Sequence, residues 1–224
     1  MYYGGKNGNG TKQIIINFIP PHRNYIEAFL GSGAILHSKK LAAGKNIGIE
    51  IDPAVISEFR NRFDRKVKII NGCAFSWLGS FKHSTDTFIY LDPPYPISSR
   101  KTKKSQYRYE LTEQDHITLL KMIRSCRSMI AISTYPNEIY KKYLSGWNVV
   151  AFQSKTQKGM GTELLYMNYP PPEILHDFSF VGKNFTERQR IKRRIKNQIR
   201  ILSALDPLER NAIFTALRSA GIIV

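Results

Sequence analysis

Short apolar runs alternate along this chain with stretches in which apolar residues recur at helical spacing. Runs at 24–29, 46–51, 67–70 and 87–91 read as strands, and Met129 to Ser133 as a fifth. Helical patterns cover 11–18, 33–43 and 53–63. Thr112 stands where an N-cap belongs, ahead of a segment with Leu119, Leu120 and Ile123 on one face. Two later runs, near Trp147 to Gln153 and Glu163 to Asn168, predict a closing hairpin. Strands alternating with helices predict an α/β chain built on an open sheet, whose ligands bind at the carboxyl ends of the strands.

The pattern changes toward the C-terminus. Thr186-Glu-Arg-Gln189 has the form of a capping box. Ile191, Ile195, Ile199 and Leu202 then make one apolar stripe, opposite Arg188, Arg190, Lys192, Arg193, Arg194, Lys196 and Arg200. Asp206-Pro207 begins a last helix with Leu208, Ala212, Ile213 and Leu217 on one side. The chain therefore divides into a sheet domain, 1–175, and a small basic helical region, 176–224. That region is either a helical hairpin packed on the sheet domain or a module that contacts a polyanion.

Three segments at strand ends carry chemistry. The run ending at Leu91 closes in Asp92-Pro93-Pro94-Tyr95. Asp92 can accept one N–H of a planar amine and the Pro93 carbonyl the other, while Tyr95 can stack on the ring. The two prolines set this geometry in advance, although the string alone is equally a plain turn. Upstream, an apolar run enters Phe29-Leu-Gly31-Ser32-Gly33, where glycines let backbone approach a ligand. Next, Ile47-Gly-Ile-Glu50-Ile-Asp52-Pro53 places acids at a strand tip, about 20 residues beyond the glycines, as for a ribose-binding acid. Glu50 suits the ribose, and Asp52 before Pro53 suits a helix N-cap.

Composition adds a partner class. There are 34 Lys and Arg against 17 Asp and Glu, a formal net charge of +17. Such a surface attracts phosphate, though ribosomal and anionic-membrane partners share that preference. Ser98 to Tyr109 carries Arg100, Lys101, Lys103, Lys104 and Arg108, with Tyr107 and Tyr109 interleaved and no acid. Beside the Asp92 turn it reads as a nucleic-acid contact, or else as a solvated charge run. Cys73 and Cys126 lie far apart, which points to reduced thiols and a cytoplasmic setting. Neither a signal pattern nor a membrane-length apolar stretch is expected here. The five histidines are scattered, without metal-ligand spacing, and no metal is expected.

With these residues in view, the chain resembles the Dam-type DNA adenine-N6 methyltransferases, which use S-adenosylmethionine. Four blocks match in order over about residues 1–170: Gly4-Gly5-Lys6, Glu27 to Gly33, Gly48-Ile-Glu50, and Asp92 to Tyr95. Gly161 to Tyr169 is similar to the strand that closes the family's catalytic domain. The resemblance implies a Rossmann-like class I methyltransferase sheet. It places Lys6 with Tyr2 or Tyr3 over the cofactor or at the catalytic mouth. It gives the cofactor Phe29, Gly31, Ser32, Gly33 and Glu50, and the flipped adenine Asp92, Pro93, Pro94 and Tyr95. Two departures stand out. Cys73 occupies the place of an acid that binds the cofactor's adenine. The 38 residues between Pro53 and Asp92 (54 to 91) are too few for the family's inserted recognition domain. The implied partner is duplex DNA, held by Arg100, Lys101, Lys103, Lys104, Tyr107 and Arg108, and by Arg190, Arg193 and Arg194 of the tail. An RNA methyltransferase, a cytosine-N4 enzyme (a class that more often has Ser in place of Asp92), and a catalytically weak DNA-binding protein of the same fold remain as alternatives.

Overall fold

The computed structural model describes residues 5, 6, 8, 10–100, 104–156 and 159–222. It divides into two units, Met1–Phe180 and Val181–Val224.

The first unit is built on a seven-stranded sheet of β1 (Asn24–Ala28), β2 (Asn46–Glu50), β3 (Val67–Asn71), β4 (Thr87–Leu91), β5 (Met129–Thr134), β6 (Asn148–Thr156) and β7 (Gly159–Met167). The order is β3-β2-β1-β4-β5-β7-β6. The pairings β3·β2, β2·β1, β1·β4 and β4·β5 are parallel, and β7 runs antiparallel to both β5 and β6. The direction of winding reverses between β1 and β4. That reversal opens a crevice beyond their carboxyl ends, the place where such sheets bind ligands.

Alternation along each strand sends neighbouring side chains to opposite faces, and both faces are covered. On one, Ile26, Ile49, Ile89 and Ile132 pack against α4 (Ala74–Ser80), α5 (Glu113–Arg124) and α6 (Glu138–Tyr143) through Leu78, Leu119, Leu120, Ile123 and Leu144. On the other, Tyr25, Phe88, Tyr90, Leu165 and Met167 pack against Ile15 and Ile16 of α1 (Thr11–Ile16) and Ile35 and Leu36 of α2 (Ala34–Ser38). Each fully buried aliphatic side chain contributes roughly 1.5–3 kcal/mol by leaving water. Thr112 caps α5 as expected, and Asp115 completes a capping box: Asp115 N donates to Thr112 Oγ1 at 3.1 Å and Thr112 N to Asp115 Oδ2 at 2.8 Å.

Several boundaries differ from the sequence reading, for local reasons. The helix expected over 33–43 stops at Ser38. Beyond it, Asn46 takes both backbone groups of Ala42, and Asp177 takes the Lys40 N–H, so the helical ladder loses its partners. The helix expected over 53–63 is α3 (Pro53–Phe59) followed by a 3₁₀ turn at Arg60–Arg62. The closing hairpin is longer than its apolar pattern, because its outer residues, Met160 among them, are exposed yet still paired.

The second unit holds α7 (Phe185–Ala204) and α8 (Pro207–Ser219). The cap of α7 is Asn184, not Thr186: Asn184 Oδ1 accepts from Glu187 N at 2.9 Å, and Glu187 Oε2 accepts from Lys183 N. No side chain of either helix is buried, and Ile195, Ile199 and Leu208 stand exposed. The apolar stripe is half-buried at Ile191 and Leu202 and exposed at Ile195 and Ile199.

Among the described residues no helix is long and apolar enough to cross a membrane. Ile89, central to the sheet, should be a sensitive probe of its core: Ile89→Ala is expected to cost about 2–5 kcal/mol, read as a lower urea midpoint at unchanged slope.

Candidate active site

The crevice between β1 and β4 leads into a cavity of about 380 Å³. Its first wall is the turn after β1. Phe29, Gly31 and Gly33 have φ of 63, 52 and 61°. A left-handed conformation costs glycine little but strains a phenylalanine, so the turn is held by its surroundings. Glu50, at the tip of β2, does much of the holding. Its Oε2 accepts from Gly31 N at 2.8 Å and its Oε1 from Asp52 N at 2.9 Å. The carboxylate therefore joins the two strand ends while still lining the cavity.

The second wall is Gly72 to Phe75, where Cys73 is the N-cap residue of α4 without a side-chain capping bond. Phe75 meets Phe29 edge-on, with ring centroids 6.2 Å apart. Aromatic and apolar surface here, with the acids Glu50, Asp52 and Asp92 around it, suits a flat ring joined to hydroxyls and a positive charge. Asp52 is the expected N-cap of α3, its Oδ1 accepting from Ala54 N at 2.9 Å.

At one end of the cavity stand Gly5, Asp92 and Pro94. Behind them is a buried ionic cluster. Lys6 Nζ lies 3.0 Å from Asp92 Oδ1 and 3.1 Å from Glu163 Oε2 of β7. Tyr95 Oη accepts from Lys6. It also lies 2.9 Å from Glu163 Oε2 and 3.2 Å from Asp92 Oδ1, one hydroxyl proton facing two acceptors. Burial pulls the Lys6 ammonium toward neutrality, but Asp92 and Glu163 outweigh it and hold the group protonated. Burial pushes the Asp92 carboxyl up to about 6 against the pull of Lys6. Burial also acts on Glu163, yet Lys6 and the surrounding hydrogen bonds keep that carboxyl below its ordinary value.

The cluster brings together Lys6, Asp92 and Tyr95, all singled out in the sequence, but it corrects two roles. The Tyr95 ring is 8% exposed and packs edge-on against Tyr135 at 4.6 Å, with Lys6 Nζ 4.7 Å from its centroid. It is spent on the protein rather than offered for stacking. Gly33 is absent from the cavity wall; it is the N-cap residue of α2, and a Cβ there would sit 2.3 Å from the Phe63 ring. Packing accounts for that glycine. Ser32 lines the cavity, whereas Pro93 is buried and does not. Tyr2, Tyr3, Gly4, Lys101 and Lys103 lie outside the described residues.

The basic segment after Tyr95 is corrected more deeply. Arg100 is 4% exposed. Its Nη1 donates to Glu110 Oε1 at 2.7 Å, its Nη2 pairs with Glu110 Oε2, and its Nε donates to the Tyr95 carbonyl at 2.8 Å. Glu110, one residue past the segment read as acid-free, also accepts from the N–H groups of Gln106 and Tyr107. Arg100 is thus a brace and not a phosphate contact. The braced loop roofs the cavity with Gln106, Tyr107, Arg108 and Tyr109, and Arg108 reaches Asp52 at 3.7 Å. Tyr107 and Arg108 accordingly line the ligand cavity, while Lys104 is exposed. Arg190, Arg193 and Arg194 lie exposed on α7 in the other unit, Arg190 within 3.4 Å of Glu187.

Glu163 was missed by reading the sequence. A signal existed: it shares strand parity with Leu165 and Met167, so an acid occupies an inward position of β7. Among the described residues no group of three His, Cys, Asp or Glu is placed to hold a metal ion.

The brace can be tested. Arg100→Gln leaves Glu110 among N–H groups without its cation and should cost about 3 kcal/mol at pH 7, measured by urea unfolding. Because Arg100 and the two N–H groups override burial and depress Glu110 to about 2, the wild-type contribution is present above pH 4.5 and is lost as pH falls through about 2. The variant should keep only the smaller acid-side dependence that the Gln106 and Tyr107 N–H groups supply.

No family model matches the chain, and no curated protein matches it. Solved structures do. A protein described as a putative O-methyltransferase from Klebsiella pneumoniae is 14% identical, with TM-score 0.51, over 75% of this chain and 84% of that one. Precorrin 8W decarboxylase from Methanobacterium thermoautotrophicum is 12% identical over 74% of this chain and 92% of that one, with TM-score 0.48. Precorrin-6y C5,15-methyltransferase from Geobacter metallireducens is 11% identical over 70% and 85%, with TM-score 0.46. At such identities the likeness concerns architecture alone: the first unit shares the α/β fold of the Klebsiella protein.

Proposed function

We propose that this chain is an S-adenosylmethionine-dependent methyltransferase acting on the exocyclic N6 amine of adenine in DNA. The observation that carries this reading is the meeting of two parts in one crevice. A cofactor-sized cavity lies under the Phe29 turn and Glu50, and the amine-binding turn, through Asp92 and Pro94, forms its end.

The cavity residues fit the cofactor. Gly31 and Ser32 would take its methionine part, Glu50 its ribose hydroxyls, and Phe75 with the backbone at Cys73 its adenine. Cys73 offers only a weak acceptor there, so backbone and aromatic contact carry the ring. When bound, S-adenosylmethionine supplies an electrophilic methyl group on a positively charged sulfur. Asp92 would accept one N–H of the target amine, and the carbonyl of Pro93, which lies between the cavity residues Asp92 and Pro94 but is not itself on the wall, would accept the other once the base has entered. This turns the nitrogen lone pair away from the purine ring and toward the methyl carbon. Tyr95 and Lys6 hold Asp92 in place from behind. Catalysis is chiefly alignment and electrostatic preorganisation. The adenine reaches this turn only by leaving the helix stack.

DNA is the partner that the charge balance favours. The exposed cations of α7, Arg193 and Arg194 among them, would contact phosphate, and Lys104 adds a cation near the roof. The chain lacks room for an inserted recognition domain between Pro53 and Asp92, so sequence recognition would come from elsewhere or be weak.

Asp92→Ala should abolish methyl transfer to duplex DNA, assayed with labelled donor, while calorimetry still detects cofactor binding; full turnover would refute the role of Asp92. Transfer by the wild-type protein should fall below pH about 6, as the Asp92 carboxyl, raised by burial, takes up its proton. Faster transfer to RNA or to free small molecules than to duplex DNA would overturn the substrate assignment. Replacing Arg193 and Arg194 together by Gln should weaken DNA binding and reduce the salt slope by up to about 2, measured by fluorescence anisotropy; an unchanged slope removes α7 from the phosphate contacts.

A further inference from the structure

Lys6 sits within hydrogen-bond distance of two carboxylates rather than one. The buried cluster holds one ammonium, Lys6, and two acids, Asp92 and Glu163, so it carries one net negative charge when all three are ionised. The other titratable groups facing Asp92 are Tyr90, Tyr95, Tyr140 and Glu27. Burial raises the three tyrosines far beyond the neutral range and raises Glu27 to about 8, so the tyrosines stay neutral and Glu27 is held largely protonated at neutral pH. The charges bonded within the cluster that bear on Asp92 are those of Lys6 and Glu163.

We infer that Glu163 is a positioning residue that carries the counter-charge of Lys6, leaving the negative charge of Asp92 for the reacting amine. The inference rests on the proposed methyl transfer and goes beyond it by assigning a role to a strand that only closes the sheet. Three features support it. Glu163 is 5% exposed on the hydrogen-bonded hairpin strand β7, so its charge has a fixed position. Its Oε2 takes both Lys6 Nζ and Tyr95 Oη, and these same two groups reach Asp92 through Oδ1. Among the described residues these contacts fall on Oδ1 of Asp92, which leaves Oδ2 for the amine. The charges also balance: as the amine lone pair bonds the methyl carbon and the carbon–sulfur pair leaves with sulfur, the donor's positive charge passes to the amine nitrogen, which then releases one N–H proton to solvent. A site of net charge −1 offsets that charge throughout, whereas Lys6 and Asp92 alone would not.

Three proteins test this: wild type, Glu163→Gln, and the double variant Lys6→Met with Glu163→Gln. The first readout is the Asp92 carboxyl ¹³C resonance, titrated on the protein without donor or DNA. Glu163→Gln keeps an oxygen for Lys6 but removes the negative charge, so the Asp92 midpoint should fall by roughly one unit. A purely architectural Glu163 predicts an unmoved midpoint, or a rise as Lys6 comes loose, and either result overturns the inference. The second readout is kcat for transfer to duplex DNA. Glu163→Gln should lower it about a hundredfold. The double variant restores the net charge and should recover at least about tenfold of that loss; a double variant slower than the single one also overturns the inference. Because the double variant leaves no ammonium short of a carboxylate, it stays informative if Glu163→Gln does not fold. The two proposals fail separately. An unmoved carboxyl midpoint sinks the role of Glu163 while wild-type transfer continues, and a wild-type protein inactive on DNA sinks the substrate while the titration still reports on the cluster.

Discussion

An ammonium ion buried between two carboxylates organises one end of the cavity in this protein. Stripping an ion of water costs several kcal/mol, and Asp92 and Glu163 offset that cost for Lys6. Those three residues come from the N-terminal segment, the end of β4 and the hairpin strand β7. Their meeting therefore depends on the whole sheet being assembled and on β7 inserting antiparallel between β5 and β6. The cost of leaving any one charge unpaired ties the shape of the site to the completion of the fold.

The same logic extends across the cavity. Glu50 is bonded to the amides of Gly31 and Asp52, so it fixes the strained turn at Phe29 and the tip of β2 together. Arg100 spans the Tyr95 carbonyl and Glu110, so the Asp92–Tyr95 turn and the loop lining the cavity are braced by one guanidinium. Polar groups used this way define geometry more than they add net stability, since each repays a desolvation cost before it contributes. Charged hydrogen bonds thus fix the cavity lining at Gly31, at Asp92 and at the loop before Glu110, and a lining held this way keeps its shape without a ligand.

The C-terminal unit follows different physics. Its helices bury no side chain, yet they carry caps at Asn184 and Asp206 and a dense run of Arg and Lys. Local hydrogen bonds and helix propensity set its secondary structure, and its exposed cations give it a strongly positive surface.

Much of the first unit was legible from the sequence. Strands β1 to β5 were placed to within a residue or two, because a parallel sheet covered on both faces needs continuous runs such as Thr87 to Leu91. The Asp92 turn, the Phe29–Gly31 turn, Glu50 and the Asp52 cap were visible for the same kind of reason. Strand ends, glycines and Asp-Pro pairs are local signals with local causes. Only the tertiary structure decided what depends on partners distant in sequence. Arg100 looked like a free cation until folding set it beside Glu110 and the Tyr95 carbonyl. Tyr95 looked like a stacking platform until its hydroxyl met Lys6 and Glu163. Lys6 and Glu163 lie 157 positions apart, and no window of the sequence holds both. Local pattern records what a residue can do, but burial and the charges brought around it determine which of those possibilities is realised.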